Sequence, residues 1–353
     1  MKTKIALLFI SLFTLISCSS DETSPTAPSA PSAVNAVLNA DTVNLTWSPV
    51  EGTGITYNVY KNGSAVKINT VPLTEAKFTD VLKATGAFTY TVTASLNGLE
   101  GAKSVVSEKI MLELPKTQNI ERSDKYNIVK YEYSYTYDTS NITKLATVIV
   151  KYSNTNVKTQ TTTVLNTITK YTYSGDLITK SMNYSDDNVF KGSTEYAYNE
   201  QKKIISGTRK NPDGSISYKV TYTYNVDGTI TEKYDLPDYG VGIYTFDKGN
   251  LVKYSITTPT PGEEFLAVSN YIYDTKKDPL ADILGFNRFL INTVNNAISS
   301  STIITSTLGN NSTESSKTDC TYDENGYVLT KMKSVTMPPN GVMQTEKTVV
   351  TYY

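Results

Sequence analysis

Residues 171–181 read Tyr171-Thr172-Tyr173-Ser174-Gly175-Asp176-Leu177-Ile178-Thr179-Lys180-Ser181. In extended chain, side chains alternate between faces, so Tyr171 and Tyr173 share one face. Ser174-Gly175-Asp176 supplies a tight turn, and Leu177-Ile178 opens a returning strand. The stretch is therefore one strand–turn–strand unit, and the chain repeats it. Six further segments carry the same aromatic–x–aromatic–polar core: Tyr135-Thr136-Tyr137-Asp138, Tyr196-Ala197-Tyr198-Asn199, Tyr222-Thr223-Tyr224-Asn225, Tyr244-Thr245-Phe246-Asp247, Tyr271-Ile272-Tyr273-Asp274 and Cys320-Thr321-Tyr322-Asp323. Their second aromatics are 36, 25, 26, 22, 27 and 49 residues apart, which sets a unit near 25. Repetition at a fixed period signals stacked supersecondary units. The expected arrangement over residues 117–353 is an antiparallel β-hairpin meander, tyrosine-rich on one face and rich in Thr, Ser and Lys on the other.

Twenty-four of the 27 tyrosines follow residue 112. The unit resembles the YD repeats of large bacterial rearrangement-hotspot and teneurin-type proteins. It is closer still to the tyrosine-rich β domains of uncharacterised bacterial surface lipoproteins. The repeats are too few for a closed YD cage. Two readings of the tyrosines stand side by side. They are the core of a thin sheet, with hydroxyls reaching its rim, or they form a platform on which sugar rings stack. Under the second reading Tyr173, Tyr198, Tyr224, Tyr244, Tyr273 and Arg288 are the ligand-binding candidates.

Two stretches interrupt the repeat. Around residues 279–296, Asp278-Pro279 is a helix-starting pair, and Leu280, Ile283, Leu284 and Phe286 follow near helical spacing. One short helix or loop is expected there. It either covers a sheet edge or lines a cleft to which Asn287, Arg288, Asn292, Asn295 and Asn296 contribute polar groups. Residues 255–268, with Pro and Glu, are expected to form an exposed loop.

Residues 34–112 alternate with a different character. Val43, Leu45 and Trp47 share one face of a strand, and Asn62-Gly63 and Asn97-Gly98 are turns whose residues tolerate positive φ. The segments Val43-Asn44-Leu45-Thr46-Trp47, Tyr57-Asn58-Val59-Tyr60-Lys61-Asn62-Gly63, Phe78-Thr79-Asp80 and Leu82…Phe88…Val92-Thr93-Ala94 resemble a fibronectin type III domain. The resemblance implies an immunoglobulin-like two-sheet sandwich serving as spacer or binding module. Phe88 stands where that family carries a tyrosine whose hydroxyl bonds the backbone, and no Arg-Gly-Asp occurs. Pro115 marks the boundary with the repeats.

The N-terminus supplies an address. Lys2 and Lys4 precede an apolar run from Ile5 to Ile16, too short to span a bilayer and of the form of a secretory signal, residues 1–17. Leu15-Ile16-Ser17-Cys18 resembles the lipobox of bacterial lipoproteins, which implies diacylglycerol on the Cys18 thiol and acylation of its freed amine. Several chains make a stable membrane anchor where one does not. Ser19-Ser20-Asp21-Glu22 resembles an acidic tag for export to the outer face of the outer membrane. Pro25, Pro28 and Pro31 make residues 18–33 an extended stalk. With Cys18 lipidated, Cys320 has no disulfide partner.

The chain contains no histidine, which excludes Ser–His or Cys–His nucleophile pairs and every His-ligated metal site. Its net charge is −1, or −3 without Lys2 and Lys4, and gives no footprint for nucleic acid. Phosphate loops, Gly-x-Ser-x-Gly and Cys-x-x-Cys are absent, so no cofactor is called for. Asn225, Asp227, Gly228 and Glu232 fall loosely near calcium-loop spacing, but Asp227-Gly228 is better explained as a turn. No carboxylate pair is singled out for glycoside hydrolysis. The expectation is a non-catalytic, cell-surface lipoprotein that binds a glycan or protein. A structural envelope component without its own ligand is the alternative, and a carboxylate-dependent hydrolase the third.

Overall fold

The computed structural model describes residues 26–353 other than 261, 291, 292 and 338–340. The signal sequence and Cys18 lie outside the described residues. Contacts divide the chain into two compact units. One comprises residues up to Val34 with Thr46–Phe78 and Tyr90–Ser107, and the other comprises Asn35–Leu45, Thr79–Thr89 and Glu108–Tyr353.

The N-terminal strands are β1 (Ser32–Asn39), β2 (Thr42–Ser48), β3 (Thr56–Lys61), β4 (Lys77–Val81), β5 (Gly86–Phe88), β6 (Tyr90–Leu96), β7 (Leu99–Glu100) and β8 (Ile110–Leu112). In β2 the expected alternation holds: Val43, Leu45 and Trp47 are buried between exposed Asn44 and Thr46. Asn62 and Gly63 take φ 52° and 70°, and Asn97 and Gly98 take 51° and 82°, as two-residue hairpin turns require. The two-sheet fibronectin-like sandwich is not what forms. The strands make three small sheets, β1-β2-β4, β3-β6-β7 and β5-β8. The cause is a break at Thr89. The run expected to continue from Phe88 to Ala94 splits there, its first piece pairing with β8 and its second with β3 and β7.

The remainder overturns the open meander. Sixteen strands follow: β9 (Pro115–Ser123), β10 (Asn127–Tyr137), β11 (Leu145–Asn156), β12 (Thr162–Ser174), β13 (Leu177–Ser185), β14 (Phe190–Tyr198), β15 (Ile204–Lys210), β16 (Ile216–Tyr224), β17 (Ile230–Tyr234), β18 (Val241–Asp247), β19 (Asn250–Thr260), β20 (Glu263–Lys277), β21 (Asn295–Ser306), β22 (Ser312–Tyr322), β23 (Val328–Thr336) and β24 (Val342–Tyr352). Each pairs antiparallel with its sequence neighbours, and β24 pairs with β9, so the sheet closes as a barrel. Residues 255–268, expected as a loop, are the facing halves of the β19–β20 hairpin. The 49-residue gap after Tyr273 holds one further hairpin, β21–β22, and the segment that precedes it.

That segment identifies the inner face. Residues 278–290 run from β20 towards β21 as turns and one 3-10 turn, Phe286–Arg288, not as an α-helix. Gly285, at φ 83°, interrupts the helical spacing. A Cβ there would lie 3.0 Å from the carbonyl oxygen of Asp176 and from Cγ1 of Ile178, so backbone packs directly on the β12–β13 turn. Phe286 and Phe289 meet Tyr171 on β12 and Tyr196 on β14, with centroids at 5.7 and 4.9 Å. Leu290 packs with Ile230, Tyr244 and Leu251 from β17 to β19. Leu284 N–H donates to the Thr143 carbonyl beside β11 at 2.9 Å, and farther round the ring Asp278 pairs with Lys331 on β23 at 3.2 Å. One short segment thus touches the same face of strands from β12 to β19 and of β23. It is a plug, and the aromatic face it touches is the interior. A sheet without edges leaves an edge-covering helix no task.

The other face is the outer wall. Cross-strand rows there pair Lys130 with Glu121, Lys151 with Glu132, Lys170 with Thr147, Lys219 with Thr208, Lys233 with Thr221 and Lys253 with Thr245. Lysines recur along this face with Thr and Ser between them, beside exposed Ile149, Ile243, Ile272 and Ile303. No helix among the described residues is long and apolar enough to cross a membrane, which does not bear on the strands.

Candidate functional site: the barrel interior

Every aromatic pair of the repeat sits on an even-numbered barrel strand, and all point to the same rim, where the plug lies. The second aromatic of each pair does a defined job. Tyr198, Tyr224 and Tyr273 donate their hydroxyls to the carbonyls of Ile178, Ile204 and Leu251 at 2.8, 3.1 and 2.7 Å. Tyr352, an eighth member not marked by the motif, donates to Val328 at 2.9 Å, and Tyr137 donates to Pro115 at 2.9 Å. The accepting residue lies at the start of the immediately preceding strand and is itself buried. Tyr173 accepts from the Leu145 N–H at 3.0 Å, and Tyr322 donates to Asp274. Phe246 lacks the hydroxyl. The repeat is thus a ring of latches clasping each hairpin to the one before it.

Four of the proposed ligand-binding tyrosines, Tyr173, Tyr198, Tyr224 and Tyr273, therefore have hydroxyls committed to backbone. Tyr244, the first aromatic of its pair, is buried with Ile230 and Leu251, its ring centroid 4.6 Å from Tyr254. Arg288 lies on the 3-10 turn of the plug, close enough to Tyr198 and Tyr224 to lower their pKa values against the larger rise from burial. Asn295 and Asn296 hold the end of the plug segment. Asn296 is fully buried, its amide donating to the carbonyls of Lys276 and Lys277. The side chains of Asn287 and Asn292 are not among those described.

The interior has two unlike sectors. From β10 to β20 it is aromatic: Tyr131, Tyr133 and Tyr135 stack along β10 at 6.2 and 6.3 Å, and Tyr131 meets Tyr152 on β11 at 5.2 Å. Within this sector Glu232 is buried beside Tyr254, whose hydroxyl donates to it at 3.3 Å. Tyr222, Tyr234 and Tyr244 also face it, and burial first and this carboxylate second raise the pKa values of all four phenols. Gly242 sits opposite Glu232, and a Cβ there would come within 2.7 Å of the Tyr254 hydroxyl. The sequence placed Glu232 near a calcium loop. The fold turns it inward and away from Asp227, which caps its own turn through Thr229 at 2.7 Å.

Phenols raised by burial make the barrel sensitive to alkali. Tyr234 and Tyr273 are pushed up to about 12, chiefly by desolvation, whereas unfolded tyrosines ionise near 10. A raised folded pKa means stability that is fully present below pH ~10 and is lost as pH rises through ~12. In a spectrophotometric titration, tyrosinate absorbance is expected to lag behind that of free tyrosine. It should then rise together with loss of the β-sheet circular dichroism signal. Ionisation of nearly all phenols near pH 10 with the fold intact would contradict the packed interior.

From β21 through β24 to β9 the interior is polar. A cavity of about 210 Å³ lies there, lined by Tyr271, Ser300, Ser316, Thr318, Lys331, Lys333 and Glu346 of the wall and by Asp278 and Thr293 of the plug segment. Lys331 is paired with Asp278, and Glu346 with Arg122 at 2.5 Å. The sequence pointed to none of these charges. Their signal was parity: Lys331 and Lys333 alternate with Met332 and share a face with buried Val335. Cys320, on the same inner face, is half-buried with a free thiol. No group of three or more Asp, Glu or Cys among the described residues is placed to hold a metal.

No protein-family model and no curated protein matches the chain. Among solved structures, it is similar to a porin-like protein from Bacteroides uniformis ATCC 8492 at 17% identity, covering 68% of this chain and 96% of that one, with a TM-score of 0.42. It is also similar to a porin-like protein from Bacteroides vulgatus ATCC 8482 at 13% identity, covering 69% and 99%, with a TM-score of 0.37.

Proposed function

We propose that this chain is a non-catalytic, lipid-anchored outer-membrane protein whose barrel stands in water at the cell surface and binds a glycan in its interior. The observation that carries the reading is the inner cavity, where a tyrosine ring, several hydroxyls and charged groups converge. Sugars are recognised by that combination, an apolar ring face against an aromatic and a hydrogen-bonded edge. The outer wall supports an aqueous setting. A lysine at the middle of a barrel's lipid face costs about 2–4 kcal/mol, and lysines recur on most of these strands. Membrane attachment is then the work of Cys18 and the stalk.

The experiment uses the full chain with Cys18→Ala. The variant is expected in the soluble fraction, and it should retain a neutral or acidic oligosaccharide in a binding screen without releasing shorter products. Failure to bind any glycan favours the structural alternative, to which the latch ring lends support. Product release abolished by a single carboxylate substitution would establish the hydrolase reading instead.

A further inference from the structure

The polar cavity has one charge too many. Lys331 is met by Asp278 and Glu346 by Arg122, and in each of these pairs the acidic side chain is at most 20% exposed. Lys333 lies in the same cross-strand row as Glu346, between Thr318 and Glu346. Glu346 is already claimed by the guanidinium of Arg122. Lys333 lines the cavity, half-buried, and makes no hydrogen bond or ion pair with the described residues. An ammonium group held on an inner face without a partner costs solvation that nothing among the described residues returns. Ser300, Ser316 and Thr318 of the wall, Thr293 of the plug segment and Tyr271 surround the same space. Its volume is that of about seven waters, enough for one ring unit and too little for a chain segment.

We infer that this cavity is a subsite for a single carboxylate-bearing sugar unit, a uronic acid residue. The carboxylate pairs with the Lys333 ammonium, the ring hydroxyls bond Ser300, Ser316 and Thr318, and the ring lies against Tyr271. The inference deepens the proposed glycan binding by assigning its chemical class, and it fails independently of it. Binding a neutral glycan equally well would leave the former standing and remove the latter.

The test is calorimetric titration of the Cys18→Ala protein with trigalacturonate and with a neutral galactose trimer of the same length. The acidic probe is expected to bind at least about tenfold tighter, and the preference should shrink as salt is raised. Lys333→Met should abolish the preference. It should leave the melting temperature unchanged or higher, since it removes an unpaired charge and keeps the apolar stem. Lys317→Met, on the outer wall one row away, should change neither. Equal affinity for both trimers, absence of binding by both, or a Lys333→Met protein that is folded and still selects the acidic probe would each overturn the assignment. Selection of a sugar phosphate over the uronate would overturn it too.

Discussion

Ile178→Ala is expected to destabilise the barrel by about 3–4 kcal/mol, near the middle of the range for removing a fully buried aliphatic. Ile178 has no exposed surface. It opens the return limb of the hairpin at 171–181, with Tyr173 as its cross-strand partner. Its carbonyl takes the Tyr198 hydroxyl at 2.8 Å, and the plug backbone at Gly285 rests on its Cγ1. None of these neighbours is free to collapse into the space, because the wall is a closed ring and Gly285 has no side chain to extend. Denaturant unfolding should show a lower midpoint at unchanged slope. A loss under about 1 kcal/mol, the size of an ordinary surface change, would mean that the plug does not seat on this rim.

The second large effect concerns the latches. The triple substitution Tyr198→Phe, Tyr224→Phe and Tyr273→Phe keeps each ring and removes three hydroxyls, each donating to one backbone carbonyl. A net hydrogen bond contributes about 1 kcal/mol. The three sit in different hairpins, so their losses should add to about 3 kcal/mol. Phe246 shows that one position of the ring tolerates the missing hydroxyl. Unfolding of the single and triple variants checks both size and additivity. No measurable loss would release these hydroxyls from their structural role and return them to the list of ligand contacts.

The two roles weighed for the tyrosines divide by position. The second aromatic of each pair closes the rim. The first, together with the row towards the far end of β10 and β11, lines the interior. A pattern of alternate residues cannot tell these apart, because both share parity and face. What separates them is the carbonyl at the start of the preceding strand, which is brought into place only once the strands are paired. Tyr352 escaped notice for the same reason. It lacks the polar residue and turn of the other members, yet it completes the ring by donating to Val328.

The hairpins were legible because their causes are local. Alternating side chains, Gly-containing turns and an aliphatic opening each returning strand lie within about twenty-five residues, and antiparallel neighbours follow from short connections. The plug was half legible. Its apolar residues and its break in the repeat were visible, but helical spacing competed with Gly285, whose positive φ serves a contact with a turn more than a hundred residues earlier.

Hairpin identity, the one-sided placement of the tyrosines and the absence of histidine chemistry belong to the sequence alone. Closure belongs to the tertiary structure. Whether such a meander stays open depends on β9 meeting β24, a pairing of Ser123 with Thr345 and of Thr117 with Thr351 across more than two hundred residues. Nothing in either strand's local pattern distinguishes that partner from another. The accumulated twist and stagger of the strands between them brings the two edges together. Closure then decides what the inward residues mean. It turns one polar parity into an outer wall, folds a broken repeat inside as a plug, and places Lys333 on the lining of a cavity where its ammonium meets no partner among the described residues.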